Sequence, residues 1–393
     1  MTRWLLLGGV WLLYGAFGLA ATSLAPLVGE ITGELGISNT AMGTTMGAWQ
    51  LVYIFSAIPC GMLLDRLGAR FALSLGGLLI GLSVLARGFA DSYIELLLAV
   101  MLFGLGGPIV SAGAPKVVTG HFEGSSRGLA MGIYMTGPAI GGIVSLTMTH
   151  SVLLPMFGSW REVMFLWSAV AVAAVVFWLV VSTITGEGRA GSDSEPGVPQ
   201  TRMIRDLVGQ PAVILVLLMS IGVFLFNHGL NNWLPELLHA GGMTITEAGY
   251  WAAIPTVIGL AGSLLIPRLA TPGRRFPILI GLSISAALAS LLLQFASEPM
   301  LFTGLLLQGI ARSSLMTVLI LTLVELPGIG ERYAGVASGL FFSAAEVGGV
   351  LGPVTLGLLY DATGGFSAGL YLLTSIAVLL AIGSARLRKL AQD

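Results

Sequence analysis

Twelve stretches of about twenty predominantly apolar residues follow one another along this chain, and a polypeptide built that way has few places to fold. About 20 apolar residues cross the hydrocarbon core of a bilayer, where only helices and closed barrels satisfy their own backbone groups. The runs cover approximately residues 4–27, 40–63, 71–89, 93–116, 128–153, 162–184, 210–234, 248–270, 276–296, 299–324, 334–359 and 367–386. The expected fold is an all-α polytopic membrane protein with twelve transmembrane helices. Of 393 residues, 55% are hydrophobic and 9% charged, far from the roughly 25% charge of soluble domains. The first run is longer than the h-region of a signal peptide and many equal runs follow it, so it is read as a retained helix.

Composition also removes whole classes of function. A net charge of −1 leaves no clustered basic surface for nucleic acid. The single Cys60 excludes an internal disulfide and Cys-based metal sites, and His121, His150, His228 and His239 have no metal-ligand spacing. No metal or cofactor is expected. There is no Gly-x-x-x-x-Gly-Lys-Ser/Thr cradle for phosphates and no serine paired with a base, so neither an enzyme nor an ATP-driven pump is expected. The 55 glycines and 17 prolines fall largely inside apolar runs, where they permit close helix approach and kinks. That pattern suits a bundle whose helices move.

The charged turn Gly61 to Arg70, GMLLDRLGAR, separates the second and third runs and orients the chain. If it faces the cytoplasm, fifteen of the eighteen basic residues share that side, only Arg161 falls in an outer loop, and Arg87 and Arg312 lie within spans. Both termini are then cytoplasmic and the membrane is the inner, cytoplasmic one. Residues 186–208 begin polar and rich in Gly, Ser and Pro, which reads as a linker between a six-helix bundle at 1–185 and another at 209–393. The halves repeat weakly: Glu123 to Arg127 leads into GLAMGIYMTGPAIGG, and Glu331-Arg332 leads into YAGVASGLFFSAAEVGGVLGP. Such duplication places a substrate site between the halves near the midplane.

The turn with Gly61, Asp65, Arg66, Gly68 and Arg70, Gly137-Pro138 with Gly141-Gly142, and Ser159-Trp160-Arg161 together resemble the major facilitator superfamily of transporters over the whole chain. The resemblance implies two pseudo-symmetric six-helix bundles and a cytoplasmic gate at Gly61, Asp65, Arg66 and Arg70, with Gly137 and Pro138 in the moving helix. In the second half Pro267 to Arg275 keeps the arginines of the gating motif and lacks its aspartate, so an asymmetric gate is expected. Ala86-Arg87, Ala114-Pro115-Lys116, Asn232 to Pro235 and Glu247-Ala248-Gly249 are similar to the cyanate and nitroimidazole porter branch.

Ionisable residues inside spans cost about 2.5–3.5 kcal/mol on insertion scales, so each demands a reason. Arg312 lies thirteen residues into the tenth span, about 20 Å deep. Its forked donors suit a carboxylate or another planar anion, and Gln308 shares its helix face. Glu346 reaches a comparable depth in the eleventh span. A structural ion pair with Arg312 is favoured for it, and a proton-coupling role is the alternative. Asn227 and Asn231 offer neutral donors and acceptors, and His228 between them a titratable group for proton relay, although a polar helix end near the headgroups explains them equally. Tyr14 in the first span and Trp49 and Gln50 in the second are candidate walls for a small planar substrate, set against simple packing; Trp251 and Thr256 are weaker candidates. Arg87 is expected to pair with Asp91 four residues on, Lys116 to snorkel, and Glu95, His150 and Glu325 to mark helix ends.

The function expected is secondary transport of a small organic or inorganic anion by alternating access, coupled to protons, by a protein that works as a monomer in the bilayer. Efflux of small drug-like compounds is the alternative within transport, because Gly137-Pro138 resembles a motif of antiporters. A non-transporting membrane receptor is the alternative of another class, and it would tolerate Arg312→Gln.

Overall fold

The computed structural model describes residues 2–185, 200–295, 297–326 and 329–391, so most of the expected linker, 186–199, lies outside the described residues. Every regular element among them is helical. In order these are α1 (Thr2–Thr22), a 3₁₀ turn (Ala25–Leu27), α2 (Val28–Leu35), α3 (Asn39–Gly88), α4 (Tyr93–His121), α5 (Gly124–Met148), a π turn (Thr149–Leu153), α6 (Leu154–Phe157) and α7 (Trp160–Ile184). There follow α8 (Gln200–Val208), α9 (Pro211–Ala240), α10 (Ile245–Leu269), α11 (Arg275–Leu292), α12 (Glu298–Val324), α13 (Gly330–Thr363) and α14 (Ser367–Leu390). Among the described residues eleven helical segments are long and apolar enough to cross a membrane. One of them, α3, is 50 residues long and holds two spans, which gives the twelve crossings that the apolar runs specify.

The Gly61 to Arg70 turn is therefore far tighter than a loop. Helical geometry persists past the end of the apolar run and is interrupted inside α3 only at Gly68, with φ 74° and ψ 162°. An L side chain rarely adopts that conformation, and Gly68 is buried at the kink. Helix starts elsewhere are set by serines: the hydroxyl of Ser38 accepts from Ala41 N at 3.1 Å, and that of Ser159 from Arg161 N at 3.2 Å. Gly36 closes α2 in the left-handed conformation, and Pro26 sits in the 3₁₀ turn that separates α2 from α1.

The chain forms two compact units. One comprises residues 1–193 with 234–239 and 243–253; the other comprises 194–233, 240–242 and 254–393. Inside the first, α1 packs on α5 and α7, and α3 packs on α4 and α7. The α1–α5 crossing is a backbone contact: a Cβ at Gly141 would overlap the carbonyl oxygen of Gly15, and one at Gly18 that of Pro138. Inside the second, α11 packs on α12 and α14, and the crossing of α9 and α13 repeats the device, with Gly348 on the carbonyl of Ile221 and Gly352 on that of Leu225. Lipid tails supply no hydrophobic drive between helices, so close backbone approach is the main source of packing there.

Gly141→Val should therefore destabilise the protein by at least about 1–3 kcal/mol, seen as a fall in Tm and a loss of the monodisperse peak in detergent. Gly132→Val in the same helix, where a Cβ meets nothing within 4 Å, should leave both unchanged.

Candidate functional site

The second unit gathers the polar residues of α9, α10 and α12. Arg312, half-buried on α12, donates from Nη1 to the hydroxyl of Thr256 on α10 at 2.8 Å. Asn227 on α9 donates its amide to the backbone carbonyl of Arg312 at 3.3 Å. One turn along the same pair of helices, Gln308 donates to the side-chain oxygen of Asn231 at 3.1 Å. His228 stacks on Phe224 with ring centroids 5.4 Å apart and lies within electrostatic reach of Arg312. The structure thus brings together Arg312, Gln308, Asn227, Asn231 and His228, and adds Thr256, a weak candidate from sequence, as the group that fixes the guanidinium.

Glu346 forms no ion pair with this group. It is 6% exposed, and its Oε2 is buried with no hydrogen-bond partner among the described residues. The structural ion pair expected between Arg312 and Glu346 is not formed. Among the described residues no carboxylate lies within ion-pair distance of Arg312. Counting along two helices gives depth alone, whereas the direction in which each side chain points is set by helix rotation and packing.

The first unit holds the aromatic candidates. Tyr14 stacks on Tyr134 at 5.7 Å and meets Phe17 at 5.5 Å. Trp49 lies edge-on to Phe103 at 5.1 Å and to Tyr53 at 6.1 Å, and the hydroxyl of Tyr53 is 2.9 Å from that of Ser111. Gln50 is fully buried beside Trp49 on α3. Gly137 packs against the carbonyl of Trp11, and Pro138 meets α1 at Gly18, so both belong to the α1–α5 crossing.

The charged turn is tied down at two points. Asp65 accepts from Lys116 Nζ at 2.6 Å, and Arg70 donates to the hydroxyl of Thr183 at 2.7 Å, while Arg66 is exposed and nothing lies within 4 Å of a Cβ at Gly61. Snorkelling therefore does not account for Lys116, which reaches from α4 across to the kink of α3. In the second half, Arg275 at the start of α11 pairs with Glu325 at the end of α12. The aspartate missing from that turn has a counterpart on the neighbouring helix with the charges exchanged, and the expected asymmetry is one of sign rather than of presence. An acid or base closing the fourth and tenth spans, opposite a charged turn, was the available sequence signal for both pairs.

Arg87 also departs from expectation. It is fully buried, donating to the carbonyl of Ala20 at 2.7 Å and to the hydroxyls of Ser23 at 2.9 Å and Ser83 at 3.2 Å. The helix ends at Gly88, so Asp91 is not a turn above Arg87; Asp91 pairs with Arg161 at 2.9 Å. Arg161 also pairs with Glu34. Glu95 caps the backbone N–H of Asp91 at 2.7 Å. His150 lies in the π turn, its Nε2 2.5 Å from the carbonyl of Pro26 and 3.6 Å from Glu30.

A family model described as Major Facilitator Superfamily matches residues 10–283 and 229–391. The chain is 25% identical over 97% of its length and 92% of the other to the uncharacterized transporter YycB of Bacillus subtilis. It is 27% identical to a quinolone resistance transporter of Acinetobacter baumannii, over 87% of this chain and 84% of that one. It is 24% identical to a probable galactarate/D-glucarate transporter, GudP of Bacillus subtilis, over 88% and 83%. Among solved structures, a bacterial homolog of the human lysosomal transporter Spinster, inward-facing and unoccupied, superposes with a TM-score of 0.76 at 19% identity, covering 100% of this chain and 97% of that one.

The two charge pairs differ in burial, and their variants should differ accordingly. Glu325→Gln strands Arg275, whose side chain is 7% exposed, and should cost about 1–3 kcal/mol, read as a lower Tm. Asp65→Asn breaks a pair whose side chains are 36% and 52% exposed and should cost about 1 kcal/mol or less.

Proposed function

The chain belongs to the Major Facilitator Superfamily, and from that membership we propose that it carries a small anion across the membrane, binding it at Arg312. It is a multi-pass membrane protein and a secondary transporter working by alternating access. The observation that carries the anion reading is the state of Arg312: a guanidinium within a membrane helix, held at one nitrogen by the neutral Thr256, with no carboxylate within ion-pair distance among the described residues. A fixed cation at that depth calls for compensation, and a carboxylate or similar planar anion matches the remaining fork of donors. Gln308, Asn227 and Asn231 then orient the ligand with neutral hydrogen bonds. Tyr14, Trp49 and Gln50 are the substrate contacts we assign to the first unit. The relatives named as carriers of galactarate and D-glucarate, both dicarboxylates, support this class of substrate.

Glu346 is the proposed proton carrier. A carboxyl group buried in the membrane without a cation beside it can take up and release a proton at low cost only when solvent reaches it, and access that alternates couples this step to transport. His228, close to Arg312, is the proposed relay. Asp65 with Lys116, Arg66 and Arg70 forms the gate at Gly61, and the α1–α5 crossing at Gly137 and Pro138 is the surface on which it moves. The distribution of basic residues supports an inner membrane location with both termini in the cytoplasm and a cytoplasmic linker at 186–208 between bundles at 1–185 and 209–393. The likeness of Ala86-Arg87, Ala114 to Lys116, Asn232 to Pro235 and Glu247 to Gly249 to the cyanate and nitroimidazole porter branch supports a place in or near that branch. A second reading, efflux of drug-like compounds, is favoured by the quinolone resistance relative.

In proteoliposomes, Arg312→Gln and Arg312→Lys should each lower kcat/KM for a small dicarboxylate such as D-glucarate by at least about tenfold with Tm unchanged. Unimpaired uptake would exclude the anion site, and transport of quinolones but of no anion by the unmodified protein would establish efflux. Glu346→Gln should retain the fold and abolish the response of uptake to an imposed pH gradient, whereas a full response would remove Glu346 from proton coupling.

A further inference from the structure

On the second unit, α9 and α14 leave between them a groove of about 280 Å³ whose walls include Leu215, Met219, Gly222, Ile376, Leu380 and Gly383. Two glycines create it. A Cβ on Gly222 would lie 3.3 Å from both Ile376 Cγ2 and Leu380 Cδ2, and one on Gly383 would lie 3.1 Å from Met219 Sδ. On α14 the lining positions 376, 379, 380 and 383 recur at three- and four-residue spacing, and on α9 positions 215, 218, 219, 222 and 225 do the same. The furrow thus follows α9 for about 15 Å and α14 for about 10 Å. It is too narrow for a further helix, about 10 Å across, and it is apolar throughout.

One end of the furrow is marked by charge. Arg386 follows Gly383 by three residues, about 4.5 Å along the axis, and Arg388 and Lys389 complete the last turn of α14. All three are exposed, and among the described residues none takes an ion-pair partner. An apolar channel inside the hydrocarbon ending at unpaired cations at helix-end level is complementary to a two-part ligand with an apolar tail and an anionic head. We propose that the α9–α14 groove binds an anionic glycerophospholipid of the surrounding bilayer, one acyl chain in the furrow and the phosphate at Arg386, with Arg388 and Lys389 adding to the attraction. A zwitterionic lipid has the same tail and lacks the net charge. The three cations, worth about fivefold each near a membrane surface, therefore select between lipid classes, while the two glycines provide the room for the tail. The inference is independent of the substrate assigned to Arg312.

The test uses the purified full chain in detergent, with dioleoyl phosphatidylglycerol and dioleoyl phosphatidylcholine titrated separately and bound lipid counted by native mass spectrometry. The unmodified protein should retain phosphatidylglycerol at least about tenfold more tightly. The triple variant Arg386→Gln, Arg388→Gln, Lys389→Gln should hold the two lipids within about twofold of each other while keeping its Tm in detergent alone. Leu379→Trp, at a lining position that is 64% exposed, fills the furrow from outside without touching the core, and should weaken retention of both lipids. Equal retention of the two lipids by the unmodified protein would overturn the proposal. So would a preference that survives the triple variant, or a concentration-dependent dimer abolished by Leu379→Trp with no preference between lipids.

Discussion

Helix crossings in which backbone meets backbone govern this structure, and the closest in each unit are those of α1 with α5 and of α9 with α13. Gly15, Gly18, Gly137 and Gly141 let α1 lie directly on α5, and Gly229, Gly348 and Gly352 let α9 lie on α13. In a solvent as apolar as the side chains themselves, this close approach supplies the contact that a hydrophobic core supplies in water. It also fixes register. Gly348 against the carbonyl of Ile221 sets α13 with Glu346 two residues from that contact, and Gly352 against the carbonyl of Leu225 and the backbone of Gly229 places Asn227 and His228 within the crossing on α9 and Asn231 just beyond it. The polar residues near Arg312 hold their positions because the helices that carry them cannot slide.

Three arginines within or bordering the membrane helices illustrate three ways of compensating a charge in a poor solvent. Arg87 is wrapped by the carbonyl of Ala20 and the hydroxyls of Ser23 and Ser83, where α1 gives way to the 3₁₀ turn. It thereby satisfies a carbonyl at a helix end and is best understood as a brace for the bent first span. Arg275 takes a carboxylate, Glu325. Arg312 has the hydroxyl of Thr256 and, among the described residues, no carboxylate within ion-pair distance, which is the basis for proposing it as the anion site.

The two halves also show how a duplicated fold can keep a device while changing its chemistry. Asp65 in the kink of α3 pairs with Lys116 on α4, and Arg275 at the start of α11 pairs with Glu325 at the end of α12. Each ties the turn ahead of one span to the end of the next, with the sign reversed. Coulomb attraction does not depend on which partner carries which charge, so acid and base can trade helices without loss of the tether.

The order of twelve crossings and the place of the charged turn between the second and third were legible in the sequence, because hydropathy and residue count measure position along a helix axis and a bilayer fixes the required length. Family membership was legible for the same reason, in a charged turn of fixed spacing. Pairing was not. Arg87 and Asp91 stand four residues apart yet do not meet, since the helix stops at Gly88; Lys116 reaches Asp65; Arg312 takes Thr256 and makes no ion pair with Glu346. The end of a helix decides the first of these, and rotation about the helix axis with the choice of neighbouring helix decides the others; both depend on packing between segments distant in the chain, which a one-dimensional count along the chain cannot express.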